Sequence, residues 1–188
     1  MGDHWSIEKP HFWDEAMHVP LLIRDPSPEA HGTRGQAFGD FVELIDLMPT
    51  VFDGLGEERP DCWHGRSVLG RIRSTGAGPH RTEIHFERDY RNHLPPEHVP
   101  DRDAALIWVL RDADYKYVQF ADPAMPPLLY DLQADPGEQR NLAHQSAYAS
   151  TCLEYAQRML QWRMKHEDQR MEHLMNPHRR WKKKKEWI

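Results

Sequence analysis

Two apolar runs with a four-residue break between them constrain this chain more than any other feature. Ala105-Leu106-Ile107-Trp108-Val109-Leu110 and Tyr115-Lys116-Tyr117-Val118-Gln119-Phe120 lie on either side of a segment containing Asp112-Ala113-Asp114. Aromatic and β-branched residues suit a pleated, half-buried surface, and a short Asp-containing break between two such runs predicts an antiparallel hairpin. The alternation over 81–87 predicts another strand, with Ile84 and Phe86 on one face. Residues 128–132 supply a fourth, and Asp135-Pro136-Gly137 turns the chain away from the sheet. Tyr148, Cys152, Tyr155, Met159, Trp162 and His166 then recur every three or four residues. That spacing gives one apolar stripe on a helix over 146–174, expected to lie across the sheet. Burying Tyr155, Met159 and Trp162 there is worth on the order of 1.5–3 kcal/mol each.

The first half reads differently. Val19-Pro20-Leu21-Leu22-Ile23 is a compact apolar run without polar alternation, which predicts a strand buried on both faces, as in parallel sheets. Residues 10–17 are expected to form a short helix. Phe41, Leu44, Ile45, Met48, Val51, Phe52 and Leu55 keep a helical period over 40–55. Pro49 is tolerated in a helix first turn, and Gly54-Leu55-Gly56 is the expected stop. Stretches 25–39, 57–80 and 90–102 read as irregular connections. The fold class expected is therefore α/β, locally α+β: part of a larger open sheet, followed by a small antiparallel sheet packed on a long C-terminal helix. The boundaries expected are 1–80 for the first unit, 81–175 for the sheet and helix, and 176–188 for a basic tail.

With 29% charged and 10% aromatic residues, the composition is that of a globular chain rather than a disordered one. Two cysteines make no disulfide framework, and no segment reads as a signal peptide or membrane span, so a cytoplasmic location is the default. The net charge of −6 conceals an asymmetry: 178–188 carries six basic residues and one acidic, or +5, leaving −11 on the rest. Basic residues beside Trp181 could serve an anionic surface, but a solvated terminus is the commoner outcome, and nucleic acid is not the expected partner.

Several segments resemble one family in order. They are Gly2-Asp3-His4-Trp5, Lys9, Phe12-Trp13-Asp14-Glu15, Val19-Pro20-Leu21-Leu22-Ile23-Arg24-Asp25, Leu44-Ile45-Asp46-Leu47-Met48-Pro49-Thr50, and the stretch from Leu129-Tyr130-Asp131 through Asp135-Pro136-Gly137-Glu138 to Asn141-Leu142. Together they resemble the C-terminal part of sulfatases and phosphonate monoester hydrolases of the alkaline phosphatase superfamily. The resemblance implies hydrolysis of a sulfate, phosphonate or phosphate ester with a divalent metal ion (Ca, Mg or Mn) and a formylglycine nucleophile. It also implies a homo-oligomer. The nucleophile motif Cys-x-(Pro/Ala)-x-Arg and the Ser-Asp-His-Gly metal pair are not found. Cys62-Trp63-His64-Gly65-Arg66 has the outer residues of the first, but His64 stands at the Pro/Ala position. This chain is therefore expected to hold no main metal ligands and to be inactive alone.

Lys9 is the leading candidate site residue. A lysine in a closed polar site offers a point charge and three donors to the oxygens of a sulfate or phosphate, and the resemblance puts a substrate-contacting lysine at this position. His4 is the second candidate, expected to organise the loop more than to touch the reacting group. Asp14 and Glu15 could hold the Lys9 loop through an ion pair or simply stabilise a helix N-terminus, with the latter slightly preferred. The thirteen histidines show no zinc-type spacing. A competing function is a non-enzymatic assembly module, because a 19–23 strand without parallel neighbours would expose apolar surface and unpaired backbone.

Overall fold

A computed structural model of the chain describes His4 and residues 11–60, 63–74, 78–91 and 101–166. Its centre is a four-stranded antiparallel sheet of β1 (Glu83–Asp89), β2 (Leu106–Asp112), β3 (Tyr115–Phe120) and β4 (Leu128–Asp131), neighbours in that order. The hairpin expected at 105–120 is β2 and β3, in register with Val109 opposite Val118 and Leu110 opposite Tyr117. Its tight turn is held by Asp112, whose Oδ1 accepts the backbone N–H groups of Asp114 at 3.0 Å and Tyr115 at 2.9 Å. Such Asx capping explains why an aspartate opens the turn.

Strand alternation sorts the sheet into two apolar faces. Leu110, Tyr117 and Leu129 pack against Tyr155 and Met159 of the long helix, numbered α4 below (Ala149–His166). The apolar stripe thus lies across the sheet, as its spacing predicts; residues 167–174 of the expected helix lie outside the described residues. The helix is also tied down at its rim. Tyr155 donates its hydroxyl to Asp112 Oδ2 at 2.6 Å, and Arg158 bridges Glu83 at 2.5 Å and Asp112 at 2.8 Å. The opposite face buries Ile107, Val109, Val118 and Tyr130 against Phe12, so chain from before the sheet supplies the second cover.

The N-terminal half contains short helices: α1 (Asp14–Met17), α2 (Leu47–Leu55) and α3 (Leu69–Arg73), with 3-10 turns at Pro28–Thr33 and Leu44–Asp46. α2 ends as expected, at Gly56 in the left-handed conformation with φ 72°. Gly65 is required for another reason. A Cβ there would sit 1.9 Å from the Ile45 carbonyl oxygen, so the 63–68 strand of coil could not approach. Asp46, fully buried, organises this half. It accepts Arg81 through both carboxylate oxygens, the Arg66 N–H at 2.7 Å, the Glu43 N–H at 3.0 Å and the His80 ring at 3.1 Å. Burial pushes its pKa up, but these donors outweigh burial and hold it at about 2.

Three expectations are corrected. Residues 69–73, inside a stretch expected to be irregular, form α3. The run 19–23 is not a buried strand: it forms no ladder among the described residues, and Leu22 is 89% exposed. An apolar run without alternation needs cover on both faces, and here nothing described covers it. The α2 helix forms, but its stripe faces outward. Pro49 and Thr50 are buried, whereas Leu44, Met48, Val51 and Leu55 are exposed, the last at 72%. Periodicity shows that residues share a face; it does not say which face meets the body of the protein.

Candidate active-site loop and its anchor

The candidate loop enters the described structure at His4 and again at His11, with Lys9 outside the described residues. Beyond it comes α1, whose first residue is the point of attachment to the sheet. Arg111 of β2 and Lys116 of β3 are cross-strand partners on the sheet face that carries Val109 and Val118. Two cations directly opposite one another repel, and Lys116 is fully buried. Asp14 resolves both problems. Its carboxylate accepts Lys116 Nζ at 2.5 Å and takes Arg111 side-on, with Arg111 Nη2 to Oδ2 at 2.9 Å. Lys116 also donates to the Phe12 carbonyl at 3.1 Å. The Phe41 ring lies 4.9 Å from the Arg111 guanidinium.

Glu138, buried in the turn after β4, completes the network. It forms an ion pair with Lys116 and accepts the Asp14 backbone N–H at 3.2 Å, thereby also capping α1. One buried anion, Glu138, and one half-buried anion, Asp14, therefore balance two cations. Desolvation raises the Asp14 pKa, but Lys116 and Arg111 outweigh it, and the net shift is downward. Glu138 is shifted upward, by burial first and also by the nearby Asp14 charge, against the pull of Lys116. The aspartate is thus neither a simple helix-terminal charge nor a partner shown for Lys9. It fastens the segment following the loop to the sheet.

His4 lies beside this anchor. Its ring stacks on Trp13 at 3.8 Å and 5°, and Trp13 in turn packs on Phe12 at 4.3 Å and edge-on to Tyr130 at 5.4 Å. His4 Nε2 is 3.9 Å from Glu15 Oε2. One donor atom each from His4, Glu15 and Glu138 lies within 4.8 Å of the others, the one group of three metal-capable side chains found among the described residues. Sequence reasoning missed Lys116, Arg111 and Glu138. A signal existed: strand alternation puts Lys116 on the same face as Val118 and Phe120, and a lysine on an apolar face requires a buried anion. Cys62 falls outside the described residues, as does the basic tail at 178–188. No described helix is long and apolar enough to cross a membrane.

Comparison with known proteins gives one consistent answer. Residues 2–165 match the family model described as N-sulphoglucosamine sulphohydrolase, C-terminal. The multifunctional alkaline phosphatase superfamily protein PehA of Trinickia caryophylli is 40% identical over 177 residues, covering 92% of this chain and 34% of that protein. Mouse arylsulfatase K is 29% identical over 146 residues, 75% of this chain and 24% of that one. The crystal structure of phosphonate monoester hydrolase of Agrobacterium radiobacter superposes with a TM-score of 0.80 at 35% identity, over 92% of this chain and 34% of its own. The chain thus spans about a third of the length of these relatives or less.

Proposed function

Because this chain belongs to the sulphohydrolase C-terminal family of the alkaline phosphatase superfamily, we propose that it supplies the C-terminal third of a sulfuric or phosphonate ester hydrolase. Its contribution on this reading is the Lys9 loop. The ammonium neutralises charge that builds on the sulfuryl or phosphonyl oxygens as the ester bond breaks, and His4 organises the loop. The observation that carries the reading is the anchor. The segment following Lys9 is fixed at Asp14 to two cations of the sheet, which gives a site nearby a rigid support.

The metal that the family implies supplies Lewis-acid polarisation of the ester oxygens when bound. The donors present here do not fit that catalytic role. Among the described residues the one group of three, His4, Glu15 and Glu138, is enclosed, with the His4 and Glu138 side chains 9% and 1% exposed, whereas a catalytic metal keeps an open position for its substrate. On this reading the nucleophile and the catalytic metal are held by sequence outside these 188 residues, and the chain alone is inactive.

Two assays test the reading. The purified chain, with Mn²⁺ or Ca²⁺, is expected to hydrolyse neither p-nitrophenyl sulfate nor a phenyl phosphonate monoester; turnover abolished by Lys9→Ala would overturn the expectation of inactivity. Substituted for the matching third of the Trinickia protein, it is expected to give an active hybrid. Lys9→Ala should then lower kcat by about 10²-fold or more, the usual cost of losing one transition-state donor. A folded hybrid indifferent to that change would remove Lys9 from the site.

A second reading, a homo-oligomeric assembly module, draws support from the outward-facing α2 stripe and the exposed 19–23 run. A monodisperse monomer by light scattering would count against it.

A further inference from the structure

We propose that His4, Glu15 and Glu138 form a binding site for a divalent transition ion of the zinc type, separate from any catalytic metal and serving to clip the candidate loop to the turn after β4. Three observations support it. The first is convergence: the three donor atoms lie within 4.8 Å of one another although they come from a loop, from α1 and from a turn more than a hundred residues away. His4 Nε2 and Glu15 Oε2 are already 3.9 Å apart, inside the limit of about 4.4 Å that two bonds of about 2.2 Å to a single ion allow, and small side-chain rotations suffice to close the set. The second is rigidity. His4 is held flat against Trp13, and the Trp13 ring is itself packed on Phe12 and Tyr130, so the imidazole is presented in a fixed plane. The third is accessibility on one side only. The Glu138 and His4 side chains are nearly fully buried, at 1% and 9% exposure, while Glu15 is 45% exposed and marks the entrance.

The donor set selects the ion. One imidazole and two carboxylates suit zinc, cobalt or nickel, whereas calcium seeks six or more oxygens. Charge also selects. Asp14, Glu15 and Glu138 carry three negative charges against the two positive charges of Lys116 and Arg111, a net −1 that attracts a cation. The ammonium beside Glu138 keeps the affinity moderate, which suits a clip that can be loaded and released.

Titration of the intact chain with Zn²⁺ in a calorimeter tests this without reference to ester hydrolysis, so failure of the hydrolase reading leaves the result interpretable. One saturable equivalent is expected. His4→Ala and Glu15→Gln should each weaken it at least about tenfold, the low end of what even an outer-shell partner contributes at a metal site. His31→Ala, at an exposed histidine elsewhere, should leave it unchanged. Loading should also slow amide exchange across Asp14–Met17 in the unmodified chain and not in His4→Ala. Equal binding by the His4 and Glu15 variants, an equal loss in His31→Ala, or no saturable equivalent at all would overturn the proposal. Both key variants lie outside the sheet core, and unchanged circular dichroism establishes that they fold.

Discussion

The sheet-and-helix region at 83–166 and the segment at 11–74 hold themselves together by different means. In the first, apolar side chains from adjacent strands meet α4 on one face and Phe12 on the other, and ion pairs such as Arg158 with Glu83 sit at the rim. In the second, the packing is organised around a fully buried charge. Asp46 collects donors from four residues, and Thr50 links its own helix to Val68, donating to the Asp46 carbonyl at 2.6 Å and accepting the Val68 N–H at 3.0 Å. Of the apolar residues in that segment Phe12, Ala30, Pro49 and Val68 are buried, while the 19–23 run and most of the α2 stripe face outward. A core of the first kind is stable by area and tolerant of small repacking. One of the second kind depends on every partner being present, because a buried charge that loses its counter-ion costs more than the pair contributed.

This contrast can be broken at the place where the two regions join. Lys116→Met strands Glu138 and half of the Asp14 carboxylate, and it should cost about 3–5 kcal/mol, read from the shift in the urea midpoint. A loss under about 1 kcal/mol would show that the anchor is incidental. Met159→Ala attacks the apolar core instead and should cost about 2–5 kcal/mol, with both regions melting together. Acid separates them further. Asp46 is held at about 2 against an ordinary 3.8. A carboxylate with a depressed folded pKa gives stability that is complete above its unfolded value and lost as pH falls through the folded one. The 43–81 network should therefore lose about 2 kcal/mol between pH 4 and pH 2. Asp14, also lowered, adds in the same direction; Glu138, raised, opposes it. Amide exchange at pH 3 should accordingly rise first around residues 43–50 and last in β2 and β3. The smallest effect is expected from Leu22→Ser, within about 0.5 kcal/mol because the side chain is already exposed. Its readout is self-association by light scattering, which should fall if the 19–23 run mediates assembly.

What could be read in advance follows the range of the physics involved. The β2–β3 hairpin, the α4 stripe and the stop at Gly56 come from periodicities of two and 3.6 and from the φ > 0 freedom of glycine, all set within a few residues. The ordered motifs around His4, Val19 and Leu129 likewise carried the family. Partnership did not come from such local rules. Asp14 meets Arg111 and Lys116 across 97 and 102 residues, and its N–H meets Glu138 across 124. The same distance dependence decided that 19–23 lies open and that the α2 stripe faces outward. Sequence alone determined the four strands of the sheet, the β2–β3 turn, α2 and α4, since backbone sterics and side-chain spacing act locally. Only the tertiary structure decided which charges share a buried site and which apolar faces are covered, because both depend on chain brought together from opposite ends of the molecule.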